Sequence, residues 1–209
     1  MQERKFSRKE ALNFGWQVMK KNFWLLVGIF LIAGLFYFLP SAIAEATKKK
    51  ILPVSVIFNI IYIIVSYIVQ MGMMGIALKL CDGERVKIND LFAYTGKFFK
   101  YLAASILYGL IVLGGTILLV VPGIIWGIRF GLYGYAIVDK DIGPISALKL
   151  SSKITYGAKW DLAVFGLFVF GINLLGILCL ILGLFATLPA TMIASAFVFR
   201  QLEKSAHGA

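Results

Sequence analysis

The chain has few charged residues: they make up 15% of its 209 residues, whereas a soluble domain carries about 25%. Hydrophobic residues account for 60%. Such a composition excludes an ordinary soluble domain and predicts a chain surrounded by lipid. Among the charged residues, the acidic ones are the minority, with 10 against 21 lysines and arginines. Because these basic residues lie in short segments beside apolar runs, we expect a membrane rather than a nucleic acid as their partner.

Cysteine and histidine are also nearly absent. Cys81 and Cys179 show neither a CxxC spacing nor a histidine partner, so we expect both to be unpaired packing residues. Palmitoylation of Cys81, which ends an apolar run, is the alternative. The single histidine, His207, lies in the C-terminal tail. This inventory excludes a zinc site built from cysteine and histidine.

Catalytic motifs are missing as well, since the sequence contains no HExxH, P-loop or GxSxG. Asp139 and Asp141 could bind a metal, but two carboxylates around a turn are usually solvated. We therefore expect a protein that is not an enzyme, with no catalytic residue, cofactor or metal. A membrane enzyme that uses Asp139, Asp141 or Asp161 is the less favoured alternative.

What the sequence does have is long apolar runs. Each is bounded by charges or by turn residues such as Pro122-Gly123 and Gly183, which predicts tight helical hairpins. We expect an all-α, polytopic membrane helical bundle of three hairpins in a single domain, residues 1–209. The six transmembrane helices are predicted at about 23–44, 51–78, 101–121, 123–138, 161–182 and 185–200.

Three of these runs have unusual lengths or boundaries. The first ends in an A-x-A match at Ala42 to Ala44, but its 22 residues exceed the h-region of a signal peptide, so we interpret it as a span. The arms 123–138 and 185–200 are short: 16 residues measure ~24 Å, below the ~30 Å hydrocarbon core. Their hairpins therefore either span a thinned bilayer or are partly re-entrant.

The distribution of lysine and arginine predicts the orientation. Six lie before the first span, five in 79–100, four in 139–160 and two in the C-terminal tail, which together make 17 on one side. Lys48, Lys49 and Lys50 face the other side and are the contrary evidence. The positive-inside rule places the larger group, and hence both termini, in the cytoplasm.

A stretch of helical periodicity precedes the first, third and fifth spans. In the second stretch, Leu91, Thr95, Phe98 and Leu102 recur on one face. In the first, Leu12, Trp16, Met19 and Phe23 line one side. We therefore predict cytoplasmic, amphipathic interfacial helices at about 7–21, 89–100 and 144–156, the last with Pro144 in its first turn.

Polar residues recur within the apolar runs. Along the second span they follow steps of four, three, four and four, so one side of that helix is polar: Ser55, Asn59, Tyr62, Ser66 and Gln70. The sixth span repeats Thr187, Thr191 and Ser195, and Asn173 is isolated on the fifth. Interhelical hydrogen bonding is the interpretation we favour, and a transport pathway is the alternative.

The fourth span combines close-packing glycines with a charge. Gly123, Gly127 and Gly131 would let another helix approach closely. Arg129 lies on another side, shared with Trp126 and Tyr133. Because a central arginine costs ~2.5–3.5 kcal/mol, we expect either that it turns into the bundle or that it snorkels to the surface. If Arg129 turns into the bundle, we expect an intramembrane polar site formed by Arg129, Tyr133, Asn59, Gln70 and Asn173.

Residues 121–160 carry a family resemblance. Val121 to Ile125, Arg129, Val138-Asp139, Ser146 to Lys149, Ser151 and Gly157 to Trp160 resemble the bacterial glycerophosphoryl diester phosphodiesterase membrane-domain family and its uncharacterised relatives. The resemblance, looser over the whole chain, implies a six-span helical domain in a bacterial cytoplasmic membrane. The phosphodiesterase reaction belongs to a separate soluble barrel that some members append. We expect this chain to lack it, because spans fill its length.

These observations together favour a non-enzymatic membrane module. Its expected partners are membrane lipids, with anionic headgroups at the cytoplasmic face, and a protein partner is left open. The alternative is a small transporter or channel-like protein whose path is lined by the polar stripe of the second span, Asn173 and Arg129.

The predicted topology can be tested with single cysteines. In a background that lacks Cys81 and Cys179, Lys49→Cys should react with an impermeant maleimide in intact cells, because Lys49 is assigned to the outer side. Lys97→Cys and Lys153→Cys should react only after the cells are opened. The reverse labelling pattern would invert the topology.

Overall fold

The structure, a computed structural model, describes residues 6–48, 52–179 and 182–207, and every regular element within these ranges is helical. Arg4, Lys5, Lys49 and Lys50, which entered the charge count, lie outside them. Two short 3-10 helices, Ile88–Phe92 and Thr95–Lys97, precede α4. The α-helices are α1 Arg8–Lys21, α2 Phe23–Thr47, α3 Leu52–Cys81, α4 Phe98–Leu118, α5 Val120–Phe130, α6 Tyr133–Lys140, α7 Pro144–Ile154, α8 Lys159–Leu178 and α9 Leu184–His207.

Within the described ranges, six helical segments are long and apolar enough to cross a membrane, which confirms the predicted all-α membrane bundle. The third segment begins 13 residues before its predicted start at residue 101, and the sixth ends six residues after its predicted end at residue 200. The chain is thus a multi-pass integral membrane protein. The six segments are Phe23–Thr47, Pro53–Cys81, Ile88–Leu118, Val120–Lys140, Lys159–Leu178 and Leu184–Ala206.

Neighbouring helices pack in pairs, α2 along α3, α4 along α5 and α8 along α9. Buried side chains concentrate in the C-terminal halves of α3 and α9 and in α1, α6 and α7. We call this region the packed end. Elsewhere α2, α4, α5 and α8 carry large apolar side chains on their surfaces, such as Ile117 and Leu167. Only lipid can cover that much apolar surface favourably.

Helix α1 packs along α9 rather than standing alone. Its buried residues, Ala11, Gly15 and Met19, recur every fourth position and face α9. Gly15 permits the approach, because a β-carbon there would collide with the carbonyl oxygen of Ala190. Trp16, which was predicted on the apolar face, is 41% exposed. The apolar side of α1 is therefore turned toward protein.

The predicted interfacial helix at 89–100 is wrong. The structure has the two 3-10 helices instead, and α4 begins at Phe98. Leu91 is fully buried, and a β-carbon at Gly72 of α3 would collide with its backbone. Asp90 accepts hydrogen bonds from the Lys79 ammonium at 2.7 Å and from the Lys87 amide at 2.8 Å. Docking of this segment on α3 therefore overrides its helical period.

The predicted turn at Pro122-Gly123 also lies elsewhere. Helix α4 ends at Leu118, Leu119 is extended, and α5 begins at Val120. Pro122 occupies the third position of α5, where its missing N–H costs no intrahelical hydrogen bond. A β-carbon at Gly123 would collide with Thr116, so this glycine lets α5 approach α4. The other predicted proline, Pro144, is confirmed in the first turn of α7.

The contact between α1 and α9 predicts the effect of Gly15→Ala. The added methyl group would clash with the Ala190 carbonyl and lie 3.0 Å from the Ala194 β-carbon, so we expect a loss of about 1–3 kcal/mol. Gly109→Ala in α4 is the control, because nothing lies within 4 Å of its β-carbon position. Thermal unfolding in detergent measures both. Equal melting temperatures would contradict the α1–α9 packing.

Candidate functional site

The segment predicted as one span at 123–138 is broken between α5 and α6, at Gly131 and Leu132. A break exposes backbone groups that need partners in a low-dielectric environment. Ser151 of α7 supplies them: its Oγ accepts from the Leu132 amide at 3.1 Å and donates to the Arg129 carbonyl at 3.0 Å. Thr155 Oγ1 donates to the same carbonyl at 3.0 Å. Helix α7 thus fixes the geometry of the break.

Arg129 lies on the last turn of α5, beside α7. Its Nε donates to Ser152 Oγ at 2.6 Å, and the guanidinium carbon lies 5.5 Å from the Phe130 ring centroid. The arginine therefore has a protein acceptor, as the inward hypothesis required. That acceptor is a serine of α7, however, and none of the amides that were named as candidates.

Around Arg129 lies an open cleft of about 500 Å³, which we call the Arg129 cleft. Among the described residues that line it, three are cationic, two carry hydroxyl groups and none is a carboxylate. Lys149 and Lys153 occur four residues apart on α7, and both are exposed. The lining residues are Arg129, Phe130, Lys149, Ser152, Lys153 and Tyr156.

The other predicted site residues lie apart from Arg129. Gln70 accepts a hydrogen bond from the Tyr101 hydroxyl at 3.0 Å, and the Tyr133 and Ser105 hydroxyls lie 2.8 Å apart. The ring centroids of Tyr101 and Tyr133 are 5.6 Å apart. Gln70 and Tyr133 therefore belong to an aromatic and hydroxyl network between α3, α4 and α6.

Asn59 and Asn173 belong to neither group. The Asn59 amide donates to the Ser55 carbonyl of its own helix at 2.8 Å, and the Asn173 amide donates to Thr191 Oγ1 at 3.2 Å. The Asn173 Oδ1 atom is buried and has no hydrogen-bond partner in the described part of the chain. The five residues predicted as one polar site are thus distributed over separate places in the bundle.

An ion-pair network joins three helices at the packed end. The Arg200 guanidinium of α9 pairs with Asp139 at 2.8 Å, with Asp82 at 2.6 Å and with Glu203 at 3.3 Å. Lys140 also pairs with Glu203. These pairs connect the ends of α3 and α6 to α9, and removal of one partner would leave a partly buried charge without its counter-ion.

The three acids considered for catalysis each have a cationic partner. Asp139 pairs with Arg200, and Asp161 lies 3.8 Å from Arg8. Asp141 accepts from the Lys100 ammonium at 3.0 Å, and this hydrogen bond lowers the pKa of its exposed carboxyl. Within the described residues, no group of three or more histidines, cysteines, aspartates or glutamates could hold a metal ion.

Sequence reasoning missed the roles of Ser152, Lys149 and Lys153. A signal was present, because lysines four residues apart on a short helix share a face. The contact between this face and Arg129 could not be read from periodicity, since it depends on the break after Phe130 and on the docking of α7. For Ser151, the one sequence signal was its place among the residues that carry the family resemblance.

No family model matches this chain, and searches of curated proteins and of solved structures also gave no match.

The bridge across the break predicts that Ser151→Ala is destabilising. Ser151 is fully buried, so its loss leaves the Leu132 amide without its acceptor and should cost about 1–3 kcal/mol. Ser146→Ala, at an exposed position of the same helix, is the matched control and should have little effect. Denaturant or thermal unfolding in detergent measures the difference. If the two variants are equally stable, the bridge contributes nothing.

Proposed function

We propose that the chain is a non-enzymatic membrane module that binds anionic phospholipid headgroups in the Arg129 cleft. The observation that carries this proposal is the convergence of Arg129, Lys149 and Lys153 on one cleft that the hydroxyl groups of Ser152 and Tyr156 also line. Each such cation near an anionic membrane surface contributes ~1 kcal/mol of attraction. A phosphate group is the complementary ligand.

The chemistry of the lining residues supports a phosphate more than a diffuse negative charge. Because Ser152 engages the Nε of Arg129, the plane of the guanidinium is oriented, while its terminal nitrogens can bind phosphate oxygens in a bidentate manner. Hydroxyl groups of Ser152 and Tyr156 also line the cleft. Together they supply the directional donors that headgroup recognition needs.

The position of the cleft also supports a lipid ligand. Exposed lysines such as Lys149 and Lys153 are unfavourable in hydrocarbon, so the level of Arg129 suits the headgroup region better than the bilayer centre. Exposed Trp160 follows shortly after α7 and suits the same interface.

The contacts at the packed end support the proposed orientation, with both termini, 79–100 and 139–160 in the cytoplasm. Asp82 pairs with Arg200, Arg8 with Asp161 and Lys100 with Asp141. All of these segments therefore share one end of the bundle. We place that end at the cytoplasmic face of a bacterial inner membrane, in a relative of the membrane-domain family that residues 121–160 resemble.

The two alternatives find less support. Catalysis would need acids free to act, whereas Asp139, Asp141 and Asp161 each have a cationic partner. A transport path would need polar side chains that face a common channel. Several of them instead bond to backbone carbonyls of their own helices, as Asn59, Ser66, Thr191 and Ser195 do.

Charge-neutral variants test the proposal. The double variant Lys149→Gln/Lys153→Gln should weaken binding of phosphatidylglycerol by roughly 10- to 30-fold and leave phosphatidylcholine binding unchanged. Lys9→Gln/Lys204→Gln, which removes two exposed lysines outside the cleft, is the matched control. Titration of purified protein with each lipid, followed by native mass spectrometry, gives both affinities.

Two results would contradict the proposal. If both double variants lose the same affinity for phosphatidylglycerol, the loss follows from the lower net charge and not from the cleft. Unchanged phosphatidylglycerol binding in the cleft variant, together with capture of an acidic peptide that the variant loses, would assign the cleft to a protein partner instead.

A further inference from the structure

An apolar groove with a volume of about 430 Å³ lies between α2, α3 and α9. It continues into a cavity of about 230 Å³ that Val169 of α8 also lines. Phe30, Met73 and Leu188 line both, so the two volumes form one continuous groove. The helices around it belong to segments that can cross a membrane, so a ligand would enter the groove from the lipid phase.

The groove has no charged lining residue within the described part of the chain. A phosphate or an ammonium group would therefore find no counter-ion there, and burial of an unpaired charge is costly. The part of a ligand that occupies the groove is thus neutral.

Aromatic side chains enclose the wider part of the groove. Phe30 and Tyr37 lie on one side of α2, because seven residues make about two helical turns. Phe185 of α9 and Met73 of α3 complete the lining around them. Aromatic side chains pack favourably against other flat rings, and a methionine sulfur packs favourably against ring edges. A flat, conjugated ring therefore suits this part of the groove.

Gln70 of α3 gives the groove a hydrogen-bond donor. Its Oε1 accepts from the Tyr101 hydroxyl at 3.0 Å, which orients the amide. Because Gln70 is exposed and lines the groove, the N–H groups at the other end of the amide can reach a molecule there. A donor that meets only hydrocarbon carries a cost in free energy, so a ligand with an acceptor is favoured.

The hydroxyl groups that line the groove are engaged elsewhere. The Tyr37 hydroxyl donates to the Ser66 carbonyl at 3.2 Å. Thr191 and Ser195 donate to carbonyls of their own helix, each at 2.8 Å. The Gln70 amide is therefore the donor that an otherwise apolar groove offers, and its complement is a carbonyl group on an apolar molecule.

From this arrangement we infer that the groove binds a neutral, membrane-soluble quinone. Its flat ring lies among Phe30, Tyr37 and Phe185, and one ring carbonyl accepts a hydrogen bond from the Gln70 amide. Its isoprenoid tail follows the continuation of the groove past Leu188. The groove shares no residue with the Arg129 cleft, so this inference does not rest on the proposed function.

The size and lining of the groove agree with such a ligand. Small-molecule sites usually measure ~300–1,000 Å³ and combine an apolar, aromatic lining with a few polar groups that orient the ligand. The wider part alone, at about 430 Å³, lies in that range. Another helix, ~10–12 Å in diameter, could not enter it, because α2 and α9 both pack on α3 and also contact each other.

Gly34 of α2 offers a test of the groove itself. It lines the groove, and no atom lies within 4 Å of its β-carbon position, so Gly34→Leu fills the groove without a clash at the backbone. Gly28 of the same helix is equally open and does not line the groove. Gly28→Leu is therefore the matched control.

Gln70 is tested together with its partner. The double variant Gln70→Met/Tyr101→Phe removes the donor and leaves no unpaired hydroxyl behind, since both sides of the hydrogen bond become apolar. Tyr101→Phe alone keeps the Gln70 amide and is the matched control. Thermal unfolding in detergent verifies that all four variants fold.

The experiment is native mass spectrometry of the full chain in detergent, titrated with ubiquinone-2. Wild-type protein should bind one molecule in a saturable manner. Gly34→Leu should weaken binding by roughly tenfold or more, because its side chain takes the apolar volume of the ligand, and Gly28→Leu should bind as the wild type does. The double variant should bind roughly three- to tenfold more weakly than Tyr101→Phe.

Three results would overturn the inference. The first is wild-type affinity in Gly34→Leu, because the quinone then lies outside the groove. The second is equal affinity in the double variant and in Tyr101→Phe, because the Gln70 amide then contributes nothing. The third is displacement of ubiquinone-2 by equimolar dioleoyl phosphatidylcholine, which would assign the groove to acyl chains. Failure of the Arg129 cleft would appear instead in the phosphatidylglycerol titrations and leave these results unchanged.

Discussion

Hydrocarbon cannot donate or accept hydrogen bonds, and the rest of this structure depends on that constraint. The surfaces of α2, α4, α5 and α8 are accordingly apolar. The buried interior of the protein imposes the same requirement, so where a helix breaks there, another part of the chain must supply the missing partners. Ser151 and Thr155 do so for the break between α5 and α6, by binding the Arg129 carbonyl and the Leu132 amide. The same contact brings α7 beside Arg129 and so creates the cleft.

Charge is excluded from the apolar surface and is therefore concentrated at the packed end and at its border. Two kinds of charged group result. Arg200, Asp82, Asp139 and Glu203 neutralise one another and connect helix ends, which makes them structural. The Arg129 cleft instead gathers Arg129, Lys149 and Lys153 on one surface. Cationic surface of this kind, next to apolar surface, suits the phosphates of anionic lipids.

The sequence predicts long spans well, because apolar length and composition are local properties: α2 begins at Phe23 as expected, and Pro144 begins α7. Prediction fails where tertiary contacts decide. Residues 89–100 have a helical period, yet Leu91 docks on Gly72 and breaks the helix. The charge of Arg129 marked it as a site residue, but its partner Ser152 lies 23 positions away and could not be identified without the fold. Asn59, Gln70 and Asn173 were grouped because all three are polar residues within apolar spans. Polarity alone does not show that side chains lie close together, and in the structure these three lie apart.

We propose anionic phospholipids as the ligands of this protein, and the lipids that surround the native protein are the most direct test. The protein should be extracted from its membrane in polymer-bounded lipid discs without detergent, and its lipids compared with the bulk membrane extract by quantitative mass spectrometry. We expect anionic phospholipids to be enriched relative to zwitterionic ones. A lipid composition equal to that of the bulk membrane would show that the protein does not select anionic phospholipids.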